Sequence, residues 1–383
     1  MQPSMKSLLP IVIIGLIGPT PAIAQPDPNS LVPRVDERVE LLSIAYTLAR
    51  RQPDPIRPNP TYATAIATHF RRYANHPFIE YLVGIVDSAA KVGGDLGSWE
   101  IPSVAVHLSQ PPSLEPLVPF HDTGASADSW DNRDLLTPQF VSLLKQFYVD
   151  AQAAAFFKSQ ARYYGLVNAR YQTEGIRLNK AWLEQFFSIP TTENYYAVIG
   201  LLGIGTGDYL RVNFPNNRRR THTILGSQSF DTDGMPTDPG NQMVARSSLH
   251  EYIHAFTNQL VDQHISQLQK PAEAILADPR VFGLVKDTFY NNWQFLLYES
   301  LVRACSIQYL MADRELATSR EAEIAAQVKA GFVWMPGLVR ELDRYQQDRR
   351  TYHNLEAFMP TINRYLTEVA AEITAGTFAF PKR

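Results

Sequence analysis

The sequence predicts an α+β fold, predominantly helical, with a small mixed or antiparallel sheet beside one chemically unusual helix. Three observations predict it. Apolar residues recur at helical spacing over most of the chain. The only strand-like runs, short and rich in β-branched and aromatic residues, follow Pro190 and end by Gly226, with Gly or Asn turns between them. A helical stretch soon after carries two histidines four residues apart. Composition agrees, since 45% hydrophobic and 19% charged residues over 383 positions leave ample apolar side chain for a core. A net charge of -3 supplies no field toward nucleic acid or an anionic membrane, and nucleic acid is not expected as a partner.

The first residues read as a signal peptide over 1–24. Lys6 precedes an apolar stretch from Leu8 to Ile17, and Ala22-Ile23-Ala24 supplies a small-x-small cleavage pattern before Gln25. The stretch is short and interrupted by Pro10, Gly15, Gly18 and Pro19, so no stable membrane insertion is expected. The implied location is the bacterial periplasm or the extracellular medium. Cys305 is the only cysteine, which excludes an internal disulfide, and its apolar helical setting reads as a small buried hydrophobe.

Residues 25–190 read as a mainly helical N-terminal region, after a proline-rich lead-in to Pro33. Val35, Val39, Leu42, Tyr46 and Ala49 give a first helix, ended by Pro53, Pro55, Pro58 and Pro60. A second helix runs from about Thr61 to Tyr73, and another follows Pro77 through Phe78, Tyr81, Leu82 and Ile85. Residues 109–138, rich in Pro, Ser and Asp, read as a long loop. One helical pattern spans Pro138 to about Tyr164, and a short helix covers Trp182 to Phe187.

Residues 191–383 form the second region, continuous with the first or separate from it. Its strands are Tyr195–Leu202, Tyr209–Phe214 and Thr221–Gly226, followed by a loop from Asp231 to Gly240 and helices to about Ala375. Gly203, Gly205 and Gly207 read as a turn between strands, since no helix opens after them to cradle a phosphate. Asp231-Thr232-Asp233-Gly234 lacks the remaining ligands of a calcium loop and reads as an acidic loop. Arg218-Arg219-Arg220, without interleaved aromatics, reads as a solvated turn.

The segment that carries chemistry is His250-Glu251-Tyr252-Ile253-His254. Histidines at i and i+4 project from one side of a helix and can grip one ion. Leu249, Ile253, Phe256 and Leu260 fall in a narrow arc about a quarter turn away, so the helix can bury that face and offer the other to metal. Glu251 can then reach a water beside the ion. A catalytic zinc wants a third protein ligand, and Glu299 is the candidate, the lone acid in the apolar stretch from Asn291 to Val302. Its competing role is an ion pair with Arg303 one turn later. Both can hold, with the arginine orienting the carboxylate. His264 lacks the spacing of a third histidine ligand, and His69, His76, His107, His121 and His353 read as structural.

An HExxH helix with a Glu about 45 residues after the second His resembles the gluzincin group of metallopeptidases. The wider sequence is similar to a bacterial domain-of-unknown-function family with the same motif. The segments that carry this are Asp36-Glu37-Arg38-Val39-Glu40-Leu41-Leu42-Ser43, Asn75-His76-Pro77, Phe156-Phe157-Lys158-Ser159 and Glu299-Ser300-Leu301-Val302-Arg303-Ala304. The resemblance implies a zincin-like catalytic core in 191–383, with zinc on His250, His254 and Glu299 and Glu251 as base. It implies no substrate; a peptide or protein substrate is the expectation of the metallopeptidase reading itself. Arg303, Tyr298 and His222 are the candidate helpers of the oxyanion, and the strand Thr221–Gly226 is the candidate edge for an extended peptide. Two other functions stay open: a metal-dependent hydrolase of a non-peptide amide or ester, and a non-catalytic zinc-binding envelope protein.

Overall fold

The computed structural model describes residues 33–50, 59–91, 100–118, 137–172, 179–188, 193–204, 209–215, 218–226, 230–237, 241–313 and 319–380. The expected signal peptide, His121, Gly205 and Gly207 lie outside them, as does much of the expected loop 109–138. The chain opens with β1 (Arg34–Val35) and α1 (Glu37–Arg50). α2 (Pro60–Phe70) runs into a 3₁₀ turn, Arg71–Tyr73, and α3 (Pro77–Lys91), α4 (Glu100–Val106), α5 (Pro138–Asp150), α6 (Ala153–Gln172) and α7 (Lys180–Phe187) follow. The strands β2 (Glu193–Gly200), β3 (Tyr209–Asn213) and β4 (Arg219–Gly226) precede α8 (Asn241–Gln263), α9 (Ile265–Ala277) and α10 (Pro279–Val285). After a 3₁₀ turn, Phe289–Asn291, come α11 (Trp293–Ala312), α12 (Arg320–Lys329), α13 (Met335–Gln347) and α14 (Leu355–Ala375).

Side-chain caps explain several helix starts. Asn59 accepts from the Thr61 and Tyr62 amides with Pro60 in the first turn, and Thr137 caps α5 ahead of Pro138 in the same way. Asn292 caps α11 by accepting from Gln294 and Phe295. Two expectations fail locally. The single helix from Pro138 to Tyr164 is two, because Gln152 takes a left-handed conformation (φ 50) with no Gly or Pro to announce it. Arg219 and Arg220 belong to β4, where the Arg220 guanidinium lies 5.0 Å from the Phe214 ring, so the basic run is not a turn.

The sheet is mixed, in the order β1-β2-β4-β3. β2 pairs in parallel with both β1 and β4, while β3 and β4 are antiparallel. β4 is therefore interior, with β3 and the short β1 at the edges, which corrects the expectation that Thr221–Gly226 offers an edge to a peptide. The N-terminal region contributes β1 to this sheet.

Alternation assigns the faces. Tyr195 packs on Tyr252 and Phe256 of α8, with ring centroids 4.9 and 6.4 Å apart, so its face lies under α8. The β-pairing puts Thr221 and Thr223 of β4 and Tyr209 and Arg211 of β3 on that same face. Tyr196, Leu210 and His222 share the opposite face. A single apolar core runs from Val39 in α1 to Ile373 in α14 and takes in both sheet faces.

Candidate metal centre

α8 and α11 run antiparallel and in contact, so Gln294 meets Asp262 (3.3 Å) while Glu299 meets His254 and His250 farther back along α8. α8 is fixed from below. Leu249, Tyr252, Ile253 and Phe256 are buried, and the Tyr252 hydroxyl donates to the Tyr196 carbonyl at 2.7 Å. Arg211 of β3 donates to the Ala255 carbonyl. α11 is fixed by the indole of Trp334, which donates to Ser300 Oγ at 3.1 Å.

These supports leave His250, His254 and Glu299 converging. His254 Nε2 is 3.1 Å from His250 Nε2 and 3.2 Å from Glu299 Oε1, and His250 Nε2 is 3.5 Å from the same oxygen. The three ligand atoms lie close enough to hold one metal ion. The site is at a surface: the side chains of His250, His254 and Glu299 are 22%, 11% and 13% exposed, which suits an ion that must meet a ligand from solution.

The surrounding hydrogen bonds orient each group. Asn258 donates through Nδ2 to the Tyr209 hydroxyl (3.2 Å), so its Oδ1 is the acceptor facing His254 Nδ1 at 3.0 Å. That puts the imidazole hydrogen on Nδ1 and turns the Nε2 lone pair toward the cluster. Tyr209 also stacks its ring on His254, with centroids 5.6 Å apart and planes 10° apart. Arg303 donates to Glu299 Oε2 through Nε (2.8 Å), with Nη2 in ion-pair contact with the same oxygen (2.7 Å), leaving Oε1 toward the histidines. Glu299 therefore stands in the cluster through Oε1 and in an ion pair with Arg303 through Oε2.

Burial alone would raise the Glu299 carboxyl. The hydrogen bonds and charges of His250 and His254 outweigh it and hold Glu299 well below the usual carboxylate range. Burial also lowers both imidazoles. For His254 the Glu299 hydrogen bond and the charges of Glu251 and Glu299 reverse that and leave it raised, whereas His250 stays lowered. Glu251 is half-buried, and its charge is felt by His254 and by Tyr290.

Two of the expected helpers stand elsewhere. His222 is on the sheet face away from α8, stacked on Tyr196 with ring centroids 4.8 Å apart. Burial pushes its pKa down to about 3, with the charge of Arg38 adding to the effect, and its Nδ1 has no hydrogen-bond partner among the described residues. Tyr298 turns its hydroxyl to Asp262 and to Gln294 Nε2 (2.6 Å), about two turns of α8 beyond His254. Arg303 stands against Glu299.

With Asn258 and Tyr209, Tyr290 is one of the residues that sequence reasoning missed. Its hydroxyl accepts from Arg303 Nη2 at 2.7 Å, and its phenol feels the charges of both Glu299 and Glu251. Nothing in its spacing signals this, because it sits on the 3₁₀ turn before α11 and reaches the cluster only through the fold. Of the weaker candidates, His264 bonds the Leu260 carbonyl (2.9 Å), His107 bonds the Ser103 carbonyl (2.7 Å), and Cys305 is buried in the core. Asp231 Oδ1 accepts from the amides of Asp233 and Met235, so the acidic loop closes on itself.

One helix on a mixed sheet and an antiparallel helix packed against it, with two imidazoles and a carboxylate meeting between them, define a helix-rich α+β protein with a preformed candidate metal centre. The chain belongs to the family described as Domain of unknown function (DUF4932), whose model matches residues 32–364, a span that includes the whole cluster. Comparison with curated proteins and with solved structures gave no match.

Proposed function

We propose that the protein is a zinc-dependent metallopeptidase, with His250, His254 and Glu299 as ligands and Glu251 as general base. The observation that carries this reading is the ligand triangle, with edges of 3.1, 3.2 and 3.5 Å. Donors about 2.0–2.1 Å from a tetrahedral ion stand about 3.3–3.4 Å from one another, so zinc fits without rearrangement. Two imidazoles with one carboxylate favour zinc over magnesium or calcium, which prefer all-oxygen sets. Three protein ligands leave a fourth position for substrate or water.

A zinc ion held there supplies Lewis acidity, polarising a carbonyl and making water a nucleophile near neutral pH. Glu251 takes a proton from the attacking water and delivers it to the leaving amine. Arg303 keeps Glu299 aimed by holding Oε2. Because arginine only donates, the Tyr290 phenol accepts from Arg303 and turns its own hydrogen to another acceptor, the carbonyl oxygen as charge develops there. An extended substrate lies along β3, the edge strand that carries Tyr209 to the cluster.

Zinc content and peptide cleavage test the reading. The purified chain should hold about one zinc per molecule, and Glu299→Ala should lose it or bind it far more weakly. Glu251→Gln should keep its zinc and lose turnover. Tyr290→Phe should also keep zinc, with kcat down by about 10²–10³ and KM little changed. A chain that takes up no zinc when it is supplied, or a Glu251→Gln variant as active as the parent, would overturn the assignment.

A further inference from the structure

We infer that α12 is a clasp that sets the geometry of the metal centre, and that Gln327 is a positioning residue acting through Arg303. The inference rests on the metal reading of the His250–His254–Glu299 cluster. α12 is ten residues long and buries only Val328, with Ile324 half-buried. So little apolar contact is a weak reason for a helix to lie where it does.

Its polar contacts are better directed. Glu323 and Gln327 are one turn apart on the same face of α12. Glu323 Oε1 accepts from Arg246 Nη1 at 2.7 Å, and Arg246 lies on α8 one turn before His250. Gln327 Oε1 accepts from Arg303 Nη1 at 2.8 Å, and Arg303 is the residue that holds Glu299. One face of α12 therefore ties together the two helices that supply the ligands. Arg320, at the start of α12, anchors the helix to α13 by donating to both carboxylate oxygens of Asp343 at 2.5 Å.

The chain leaving α12 completes the enclosure of Arg303. Phe332 lies with its ring centroid 4.8 Å from the guanidinium carbon, and the Tyr290 ring is 5.2 Å away. Each nitrogen of Arg303 then has a partner. Nε and Nη2 go to Glu299, Nη2 also to the Tyr290 hydroxyl, and Nη1 to Gln327. A guanidinium is planar, so fixing Nη1 fixes the plane in which Nε and Nη2 meet Glu299 Oε2. Without Gln327 the plane can tilt, and Glu299 can then rotate Oε1 away from the two Nε2 atoms. The expected cost is in metal affinity, at the low end of the range found when groups behind the ligands are removed.

The test is zinc affinity of the full chain, measured by competition with a chromophoric chelator, together with the melting temperature of the metal-free protein. Gln327→Ala should weaken zinc about tenfold while the metal-free melting temperature stays near that of the parent. Gln327→Glu, which keeps an oxygen facing Arg303, should bind zinc within a few-fold of the parent. Val328→Ala should lower the melting temperature and leave zinc affinity unchanged. If Gln327→Ala binds zinc like the parent, or loses affinity only in step with melting temperature, the clasp is wrong and the metal reading stands. If the parent binds no zinc, or Glu299→Ala binds it equally well, the metal reading falls and the clasp with it.

Discussion

Asn258 and Glu40 are the single residues whose surroundings ask most of them. Asn258 fixes the His254 tautomer from Nδ1 while tying itself to Tyr209, so on the proposed zinc reading it would act through the ligand. Asn258→Ala should weaken zinc by about 10–100-fold with the fold intact, measured by chelator competition. Affinity like the parent's would mean that the tautomer is set some other way. Glu40 is wholly buried and accepts from the Tyr62 hydroxyl (2.7 Å) and the Leu201 amide (2.8 Å). Burial pushes its pKa up to about 7, against the lowering effect of those two hydrogen bonds and with help from the charge of Asp36. A carboxyl whose folded pKa lies above its unfolded value is most favourable to folding when protonated. Its contribution is complete below about pH 4.5, declines as pH rises toward 7, and is flat above that, a loss on the order of 3 kcal/mol. Glu40→Gln cannot ionise, so its stability relative to the parent should rise by that order between pH 5 and pH 8. Urea midpoints at a series of pH values measure the difference, and a difference that does not change with pH would sink the argument.

Secondary-structure elements show why some of the molecule was legible in its sequence and some was not. α8 is written plainly in the pattern, because its apolar arc and its histidines fall on separate faces of one helical wheel. β2, β3 and β4 were visible from their residue types and turns. Their order was not, since β4 sits inside the sheet only because β2 pairs with it in parallel across a long connection, and no local pattern encodes that. The same gap misplaced His222, whose face is set by register with Tyr196. α4 had no helical signature, with Pro102 in its first turn and β-branched residues around it. The candidate metal ligands came out because their chemistry needs fixed spacing, whereas Tyr290 and Gln327 reach the site through packing alone. Packing also governs a sharp element-level prediction. Gly337 in the first turn of α13 faces Tyr365 of α14, whose hydroxyl donates to the Trp334 carbonyl at 2.6 Å. A Cβ at 337 would overlap the Tyr365 phenol. Gly337→Ala should therefore cost about 1–3 kcal/mol by forcing the two helices apart, read from the denaturant midpoint. A variant as stable as the parent would mean the phenol can swing clear.

At the scale of the whole molecule, one question is whether the metal centre and the N-terminal helices belong to the same cooperative unit. Physical continuity argues that they do. β1 and α1 come from the N-terminal region, yet β1 is hydrogen-bonded to β2 and Glu40 of α1 accepts from the amide at the end of β2. Asn179, ahead of α7, donates its amide to the Tyr309 hydroxyl of α11 at 2.6 Å. One core includes residues from α1 to α14. An ion bridging α8 and α11 therefore stabilises a structure that cannot lose those helices while keeping the rest of its sheet. Zinc at about a thousand times its dissociation constant would add roughly 4 kcal/mol to the folded state. For a chain of this size that corresponds to a rise of several degrees in melting temperature. The expected result is a single transition that moves down as a whole when a chelator strips the metal, with no such shift in Glu299→Ala. Two transitions, of which only one responds to zinc, would instead mean that the N-terminal helices and the metal-bearing region unfold independently. A single transition indifferent to zinc in the parent would remove the bridge between α8 and α11 altogether.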